Sequence, residues 1–427
     1  MPARPTVDDD RARIIEASDL LAAAAGPLRV LTHLAWPAEV RETFLSSGAS
    51  HLPAVTYPSI DVAPTMDLVA RARALVPGDD PIDRWLRETA GQVETTVHMM
   101  AAAGTPTFHQ HAVSLYGAPT SPLPRATVTP LDLAEDVHEV LGHLAAFEMG
   151  LTEPPSHTAD EVATTVRAGL AVVFGADAPP VTIVDQLSAN AAASARGIRI
   201  RRDALFTDRD AAQLLQHEAY IHVATSLNGR RQPLKLLAVS RPGTARAQEG
   251  LAVFAELASG TAELDRMRRL ADRVLGIQAV VDGADFVELF RWFRERTPDD
   301  VQAYESARRI FRGSPVTGGH PFTKDVVYLY GLLEIASTVR TAFAAGRMDL
   351  LRLLMVGKLP VRALPALAHC ARMGLVERPA FLPPWVADPR GILALLTLST
   401  FLARIDLPEM VAELGDILDA SPVVSWD

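Results

Sequence analysis

Apolar residues recur at helical spacing along most of this 427-residue chain, and prolines interrupt the pattern. Residues 11–110 are rich in alanine and leucine and predict several helices, with breaks at Pro37, Pro53, Pro58, Pro64 and Pro81. Residues 116–130 contain four prolines and form the clearest linker. The pattern predicts a helical N-terminal region over 1–115, a central region over 116–346 and a helical C-terminal region over 347–427.

A small sheet is expected in the central region. Residues 194–202 alternate, with Ile198 and Ile200 on one face and Arg199 and Arg201 on the other, and residues 181–185 are a short β-branched run. The alternating strand fits two roles equally well, pairing with an extended substrate or forming an edge that its charges protect. The fold class predicted is α+β, predominantly α-helical.

Further helices are expected around and after this strand, at about 130–149, 159–174, 261–280, 284–296, 299–312 and 323–346. Thr207, with Asp210 three residues later, forms a capping box that opens another helix. That helix is predicted to continue to about Leu227 and to end at Asn228-Gly229. The next one begins near residue 245.

The helix that follows Thr207 contains the sequence HEAYIH at 217–222, an HExxxH pattern, and Glu249 lies 27 residues after His222. Two imidazoles and a distant carboxylate suit a catalytic zinc site whose fourth position is left to water. Glu218 is the natural base for that water. The sequence thus points to metal-assisted hydrolysis with one zinc ion per chain, although two ordinary helix histidines fit the pattern as well.

The spacing of the two histidines has a structural consequence. Residues five apart lie roughly 140° apart on a regular α-helix, so His217 and His222 would not face the same ion. A π-bulge restores a shared face, and such bulges cluster at functional sites. We therefore predict a π-bulge within this helix.

A second HExxxH pattern lies upstream, from His138 to His143. With Gly142 it resembles the motif of zinc-dependent dipeptidyl peptidases and that of the iron-binding aromatic amino acid hydroxylases. No acidic residue follows in a recognisable setting, and we favour an ordinary helix with two partly buried histidines. An iron-dependent hydroxylase built on His138 and His143 remains an alternative.

Net charge, cysteine content and the N-terminal sequence limit the partners and the location that this chain can have. The net charge of −10 argues against general affinity for nucleic acid or an anionic membrane. Cys370 is the single cysteine, which excludes an intrachain disulfide and fits a reducing compartment. The N-terminus lacks the apolar run of a signal peptide, so a cytoplasmic location is expected. Oligomeric state has no signature in the sequence.

Residues 248–252 read QEGLA, and with them the chain resembles the QEGLA-motif family. This family includes bacterial proteins labelled flavohaemoglobin-expression-modulating and the microtubule-associated tyrosine carboxypeptidases of animals. The resemblance extends over most of the chain, in blocks that include WPAEVRETF at 36–44, LNGRRQPLKLL at 227–237, RPGTARAQEGLAV at 241–253 and FTKDVVYLYGLLE at 322–334.

The resemblance implies a zincin-like metallopeptidase fold, with His217, His222 and Glu249 as zinc ligands and Glu218 as the general base. It implies a carboxypeptidase that removes a C-terminal residue, with tyrosine as one candidate, from a peptide or protein. Tyr220 stands where the family usually has glycine, and Thr244 and Ala247 stand where it has an aromatic residue and a threonine, which puts substrate choice in doubt. A catalytically silent zinc protein that regulates a partner is therefore the main alternative.

Two further groups would complete such a site. A developing oxyanion needs a hydrogen-bond donor besides the metal, and Tyr328, Tyr330 and Tyr220 are the candidates. A terminal carboxylate needs a cation, for which Arg312 and Lys324 are the first candidates and Arg241 a second one.

Overall fold

The computed structural model describes residues 7–402, except 125, 146–155, 186, 188, 189, 195, 196 and 298. Over these residues the chain consists mainly of α-helices with one small sheet, which confirms the predicted α+β, predominantly helical class. The chain divides into two compact units, Met1–Pro383 and Pro384–Asp427. The three regions drawn from the sequence remain a prediction, and the C-terminal one extends past the described residues.

The N-terminal part is helical, as predicted, and prolines separate its helices. Pro37 immediately precedes one helix, and Pro81 and Pro106 each occupy the first position of another, where the missing N–H costs nothing. The helices are α1 Val7–Ala25, α2 Val30–His33, α3 Ala38–Ser46, α4 Ala63–Ala74, α5 Pro81–Ala101 and α6 Pro106–Tyr116.

Two helices precede the sheet, α7 Pro130–Ala145 and α8 Ala159–Phe174. The bounds of α8 agree with the sequence prediction because Thr158 and Glu161 form a capping box at its start. No helix or strand is found between α6 and α7 among the described residues, as the prolines of this segment predict.

The sheet contains three strands, β1 Val181–Val184, β2 Ala191–Ser194 and β3 Gly197–Arg201, in the order β1-β3-β2. β3 pairs in parallel with β1 and antiparallel with β2. Ile198 and Ile200 are buried and Arg199 is exposed, which confirms the alternation. Both edges of β3 are paired, so both roles considered for this strand, a charge-protected edge and a strand that pairs with an extended substrate, are wrong. Its partner β2 is mostly alanine and has no alternation that would reveal it in the sequence.

The helix with the HExxxH pattern has three parts: α9 Asp208–Leu214, a nine-residue π-helical segment Leu215–Val223, and α10 Ala224–Arg231. The Thr207–Asp210 capping box is present at its start. The predicted end at Asn228-Gly229 is wrong. Asn228 is buried, and its side-chain amide donates to the carbonyl oxygens of Met355 and Phe381, so it fixes another segment and does not end the helix.

The remaining helices run to the end of the described residues, and short 3₁₀ turns at Lys235–Ala238 and Thr323–Val326 precede two of them. They are α11 Pro242–Ala258, α12 Leu264–Val281, α13 Phe286–Arg294, α14 Asp300–Phe311, α15 Val327–Ala344, α16 Asp349–Leu353, α17 Leu364–Arg372, α18 Pro384–Ala387 and α19 Arg390–Leu402.

α11 and α15 cross at a pair of glycines. A Cβ atom on Gly250 would lie 2.3 Å from the backbone of Gly331, and one on Gly331 would lie 2.2 Å from the carbonyl oxygen of Arg246. This close crossing brings Glu249 of α11 beside the start of α15.

Thr323–Ala344, which comprises α15 and the 3₁₀ turn before it, is the one helix in the described part of the chain that is long and apolar enough to cross a membrane. Of its most apolar stretch, 56% is buried within the fold.

Candidate metal centre

Three side chains from two helices converge on one point. His217 and His222 come from the π-helical segment, and Glu249 comes from the second turn of α11. The Nε2 atoms of His217 and His222 lie 3.7 and 3.5 Å from Oε2 of Glu249. One ligand atom from each residue lies within 4.8 Å of the other two, so this group could hold a metal ion. His217 is buried, and the other two are partly exposed.

The π-helical segment explains how histidines five residues apart can meet. Its wider turns bring the two imidazoles together, with ring centroids 5.0 Å apart. The predicted π-bulge is present and extends over the whole motif. Tyr220, between the histidines, is buried against α8, where its hydroxyl donates to the carbonyl oxygen of Gly169 at 2.9 Å. That hydrogen bond occupies the hydroxyl away from the ligand group.

Glu256, which was not identified from the sequence, contacts His217 at Nδ1, the ring nitrogen that does not face Glu249. Glu256 is fully buried, and its Oε1 lies 2.5 Å from Nδ1 of His217. Arg266 of α12 contacts the same carboxylate through Nη2 and Nε, at 3.2 and 3.3 Å. Glu256 lies seven residues after Glu249, two turns along the same face of α11, and this spacing is the signal that could have identified it.

The ionisable side chains of the group shift one another's pKa values. Burial opposes ionisation of Glu249, but Lys324 and the two histidines outweigh it and hold the pKa of Glu249 well below its usual value. Burial likewise favours the neutral form of His217, yet its hydrogen bonds to Glu249 and Glu256 raise the pKa of its imidazole to about 10. Two imidazole nitrogens and a carboxylate oxygen are donor atoms that suit a metal ion such as zinc.

Lys324 lies beside this group, as a candidate substrate-binding residue should. Its Nζ is 3.7 Å from Oε1 of Glu249 and 3.9 Å from Oδ1 of Asp325, and it lies 5.4 Å from the ring centroid of Tyr328. Asp325 is buried and also binds Arg309 through two hydrogen bonds, at 2.7 and 3.0 Å. Lys324, Arg273 and Arg309 therefore form a cationic cluster beside the ligand group.

Arg312 is buried near the same cluster. Burial, and then the neighbouring Arg309, lowers the pKa of its guanidinium to about 10, against the attraction of Asp325. Its Nε is buried without a hydrogen-bond partner among the described residues. Arg312 is thus a cation that the fold leaves incompletely neutralised.

The three tyrosines proposed as oxyanion donors lie in different surroundings. Tyr328 contacts Lys324 and Arg273, the latter 5.4 Å from its ring centroid, and so lies at the cationic cluster. Tyr330, two residues on, points to another side of α15, where its hydroxyl donates to the carbonyl oxygen of Pro122. The structure brings Tyr328 near the ligand group but engages the hydroxyls of Tyr330 and Tyr220 elsewhere.

Arg241 immediately precedes α11. It is buried, and its guanidinium donates to the carbonyl oxygen of Leu236 at 3.3 Å. Burial, with Arg362 nearby, lowers the pKa of Arg241 to about 9.

Lys358 reaches the site from the C-terminal region, where the sequence showed no catalytic signature. Its Nζ donates to Oγ of Ser240 at 2.6 Å, and its backbone N–H donates to the carbonyl oxygen of Leu237. Burial lowers the pKa of this ammonium, whereas the nearby carboxylates of Glu249 and Glu218 raise it. These interactions place a second lysine within electrostatic range of the proposed base.

The upstream HExxxH pattern lies on α7, where His138, Glu139 and Gly142 are exposed. The side chain of His143 lies outside the described residues. Within the described part of the chain, the group suited to a metal is His217, His222 and Glu249 alone. The geometry therefore favours the downstream motif.

These features define a mostly helical α+β protein whose His–His–Glu group could hold a metal ion. Residues 42–404 match the microtubule-associated tyrosine carboxypeptidase family, and the chain belongs to that family. The resemblance predicted from the sequence blocks is thereby confirmed. No curated protein matches the chain. Family membership supports a tyrosine carboxypeptidase-like function, and therefore a peptide or protein substrate.

Proposed function

We propose that this protein is a zinc-dependent carboxypeptidase that removes the C-terminal residue, with tyrosine as the first candidate, from a peptide or protein. His217, His222 and Glu249 are the proposed ligands of one zinc ion per chain. Zinc in such a site polarises the scissile carbonyl and activates a water molecule. The convergence of the three ligand atoms within 4.8 Å is the observation that carries the proposal.

Glu218 is the proposed general base. It follows His217 directly, it is partly exposed, and no hydrogen bond occupies its carboxylate among the described residues. A carboxylate in this place accepts a proton from the attacking water and returns it to the leaving amine. Lys324 lies 3.7 Å from Oε1 of Glu249, and Lys358 interacts electrostatically with the carboxylates of Glu249 and Glu218.

Lys324 and Arg312 are the proposed cations for the terminal carboxylate of the substrate. Arg312 has an unpartnered Nε, and Lys324 is close to both Glu249 and Tyr328. A substrate anion would complete the neutralisation of this cluster. Tyr328 is the remaining candidate among the tyrosines for a donor to the developing oxyanion, because its ring lies beside Lys324.

The test combines one variant with one substrate change. Glu218→Gln should retain zinc, because the ligands are intact, and should lower kcat by roughly 10²–10⁴-fold, the usual contribution of a general base. Wild-type protein should release tyrosine from a peptide with a free C-terminus and leave the amidated peptide intact. Released amino acid is measured by mass spectrometry, and metal content by elemental analysis.

Two outcomes would contradict the proposal. Normal turnover by Glu218→Gln would remove the assignment of the base, and cleavage of the amidated peptide would remove the exopeptidase assignment. Zinc binding without any turnover by the wild type would favour the regulatory alternative. A cytoplasmic location, suggested by the single cysteine, is part of the same proposal and is tested by fractionation of cells.

A further inference from the structure

We propose that Glu256 and Arg266 form a charge-balanced pair that positions His217 for its metal. In this proposal Glu256 fixes the imidazole so that Nε2 faces the ligand group, and Arg266 limits the negative charge that reaches the ring. Both are positioning residues that act through His217. The inference rests on the proposed metal site but is independent of peptidase activity.

The hydrogen bonds around Nδ1 of His217 allow one assignment. Oε1 of Glu256 lies 2.5 Å from this nitrogen and Nη2 of Arg266 lies 3.4 Å from it. Arginine can only donate, and an ionised carboxylate can only accept. The imidazole therefore donates its Nδ1–H to Glu256, and Arg266 directs its own N–H groups to the carboxylate. Nε2 remains on the side of Glu249, 3.7 Å from Oε2.

The carboxylate of Glu256 is held from several directions. Arg266 contacts Oε1 and Oε2, and the side-chain amide of Gln213 donates to Oε2 at 2.8 Å. Glu256 is fully buried, and the side chain of Arg266 is 19% exposed. The orientation of the imidazole is therefore set before any metal binds. A carboxylate partner also raises the basicity of a ligating histidine.

The charges of Glu256 and Arg266 predict that neutralising one residue weakens zinc binding and neutralising the other strengthens it. Replacing Glu256 by glutamine keeps an oxygen that can accept from Nδ1–H but removes the charge, so His217 becomes a weaker ligand. Replacing Arg266 by glutamine removes the charge that opposes Glu256, so His217 becomes a stronger ligand. A purely structural ion pair between α11 and α12 predicts no such opposition, because loss of either partner would then disturb the site in the same direction.

The experiment measures the zinc dissociation constant of the full chain by competition with a chromogenic chelator. Glu256→Gln should raise this constant by about 10–100-fold, the usual effect of losing an outer carboxylate. Arg266→Gln should lower it severalfold. Arg268→Gln is the matched control, since Arg268 lies on the same helix in an exposed pair with Asp265, and it should leave the constant unchanged.

A second readout is independent of metal. In metal-free protein with ¹⁵N-labelled histidine, the His217 signal, assigned with His217→Gln, should show Nδ1 protonated in the wild type. Glu256→Asp, which keeps the charge but shortens the side chain, should weaken zinc binding and stands in if Glu256→Gln does not fold. Thermal unfolding checks each variant.

An unchanged zinc constant in folded Glu256→Gln would overturn the proposal, as would a raised constant in folded Arg266→Gln. An unprotonated Nδ1 in the wild type would also overturn it. If the wild type binds no zinc, the proposed function fails, and the histidine spectrum alone then decides whether Glu256 orients His217.

Discussion

Asp325 is the residue on which the cationic side of the site depends. It is buried, binds Arg309 through both oxygens, and lies 3.8 Å from Arg273 and 3.9 Å from Lys324. Burial opposes its ionisation, but Arg309 and Arg273 outweigh burial and hold the pKa of Asp325 well below its usual value. One carboxylate thus anchors three cations that would otherwise repel one another.

The replacement Asp325→Asn should lower the free energy of unfolding at neutral pH by about 3–5 kcal/mol, because it leaves buried cations without their partner. Because the folded-state pKa of Asp325 is depressed, its stabilisation is complete above the unfolded value of about 4 and is lost as pH falls further. The difference in unfolding free energy between wild type and Asp325→Asn should therefore be smaller at about pH 3 than at neutral pH. Urea unfolding at the two pH values measures it.

Asp349→Asn is the matched control, since Asp349 pairs with Arg347 on the surface and should contribute less than about 1 kcal/mol. A difference in unfolding free energy between Asp325→Asn and wild type that stays constant between the two pH values would show that folding does not depress the pKa of Asp325.

At the residue scale, the sequence identified the side chains whose chemistry has a local signature. His217, Glu218, His222 and Glu249 follow from a motif, and the structure brings the two histidines and Glu249 together. Glu256 was missed because its only signal is its position two turns after Glu249 on the same helix face, and many helical residues share such a spacing. Tyr328 and Tyr330 were proposed from their positions in the sequence alone. Sequence position cannot distinguish them, because the direction of each side chain is known only from the structure.

At the scale of elements, helix ends with capping signals were predictable and tertiary roles were not. The capping box predicted at Thr207 is present and opens its helix, and the helix predicted to begin at residue 159 does so after a capping box at Thr158. Asn228-Gly229 has the composition of a helix end, yet both residues serve close packing, since a Cβ on Gly229 would lie 2.3 Å from the carbonyl oxygen of Leu237. The π-helical segment was predictable because chemistry required His217 and His222 on one face.

The crossing of α11 and α15 gives a prediction for these elements. Gly331→Ala should push the helices apart, because the added Cβ would lie 2.2 Å from the Arg246 carbonyl oxygen. The free energy of unfolding should fall by roughly 1–3 kcal/mol, the usual cost of overpacking. Zinc should bind more weakly, because Glu249 moves with α11. Calorimetry and chelator competition measure the two effects.

Gly142→Ala is the control for this crossing, since nothing lies within 4 Å of a Cβ at that exposed position of α7. It should leave zinc binding unchanged and stabilise the helix slightly. Equal zinc affinity in Gly331→Ala and wild type would mean that the crossing does not position Glu249.

At the scale of the whole molecule, the site is assembled from segments far apart in sequence. The π-helical segment and α11 supply the proposed ligands, the turn before α15 supplies Lys324, and residues 355–358 supply Lys358. Buried Asn228 binds the backbone of this last segment at Met355, and the N–H of Lys358 binds Leu237. Single contacts of this kind between distant segments have no pattern in one sequence, so the contribution of the C-terminal region was not predictable.

Lys358, supplied by residues 355–358, should help to attract the substrate. Lys358→Met keeps the aliphatic bulk but removes a positive charge that interacts with Glu218 and Glu249, so the site becomes more repulsive to a substrate with a free carboxylate. KM for such a peptide should rise roughly tenfold, equivalent to about 1.4 kcal/mol, and should respond less to salt. Zinc affinity should change little, because no ligand contacts Lys358. Lys235→Met, at an exposed lysine paired with Asp19, should leave KM unchanged. If both variants kept the wild-type KM and salt response, Lys358 would serve only to hold Ser240, and substrate attraction would rest on Lys324 and its neighbours.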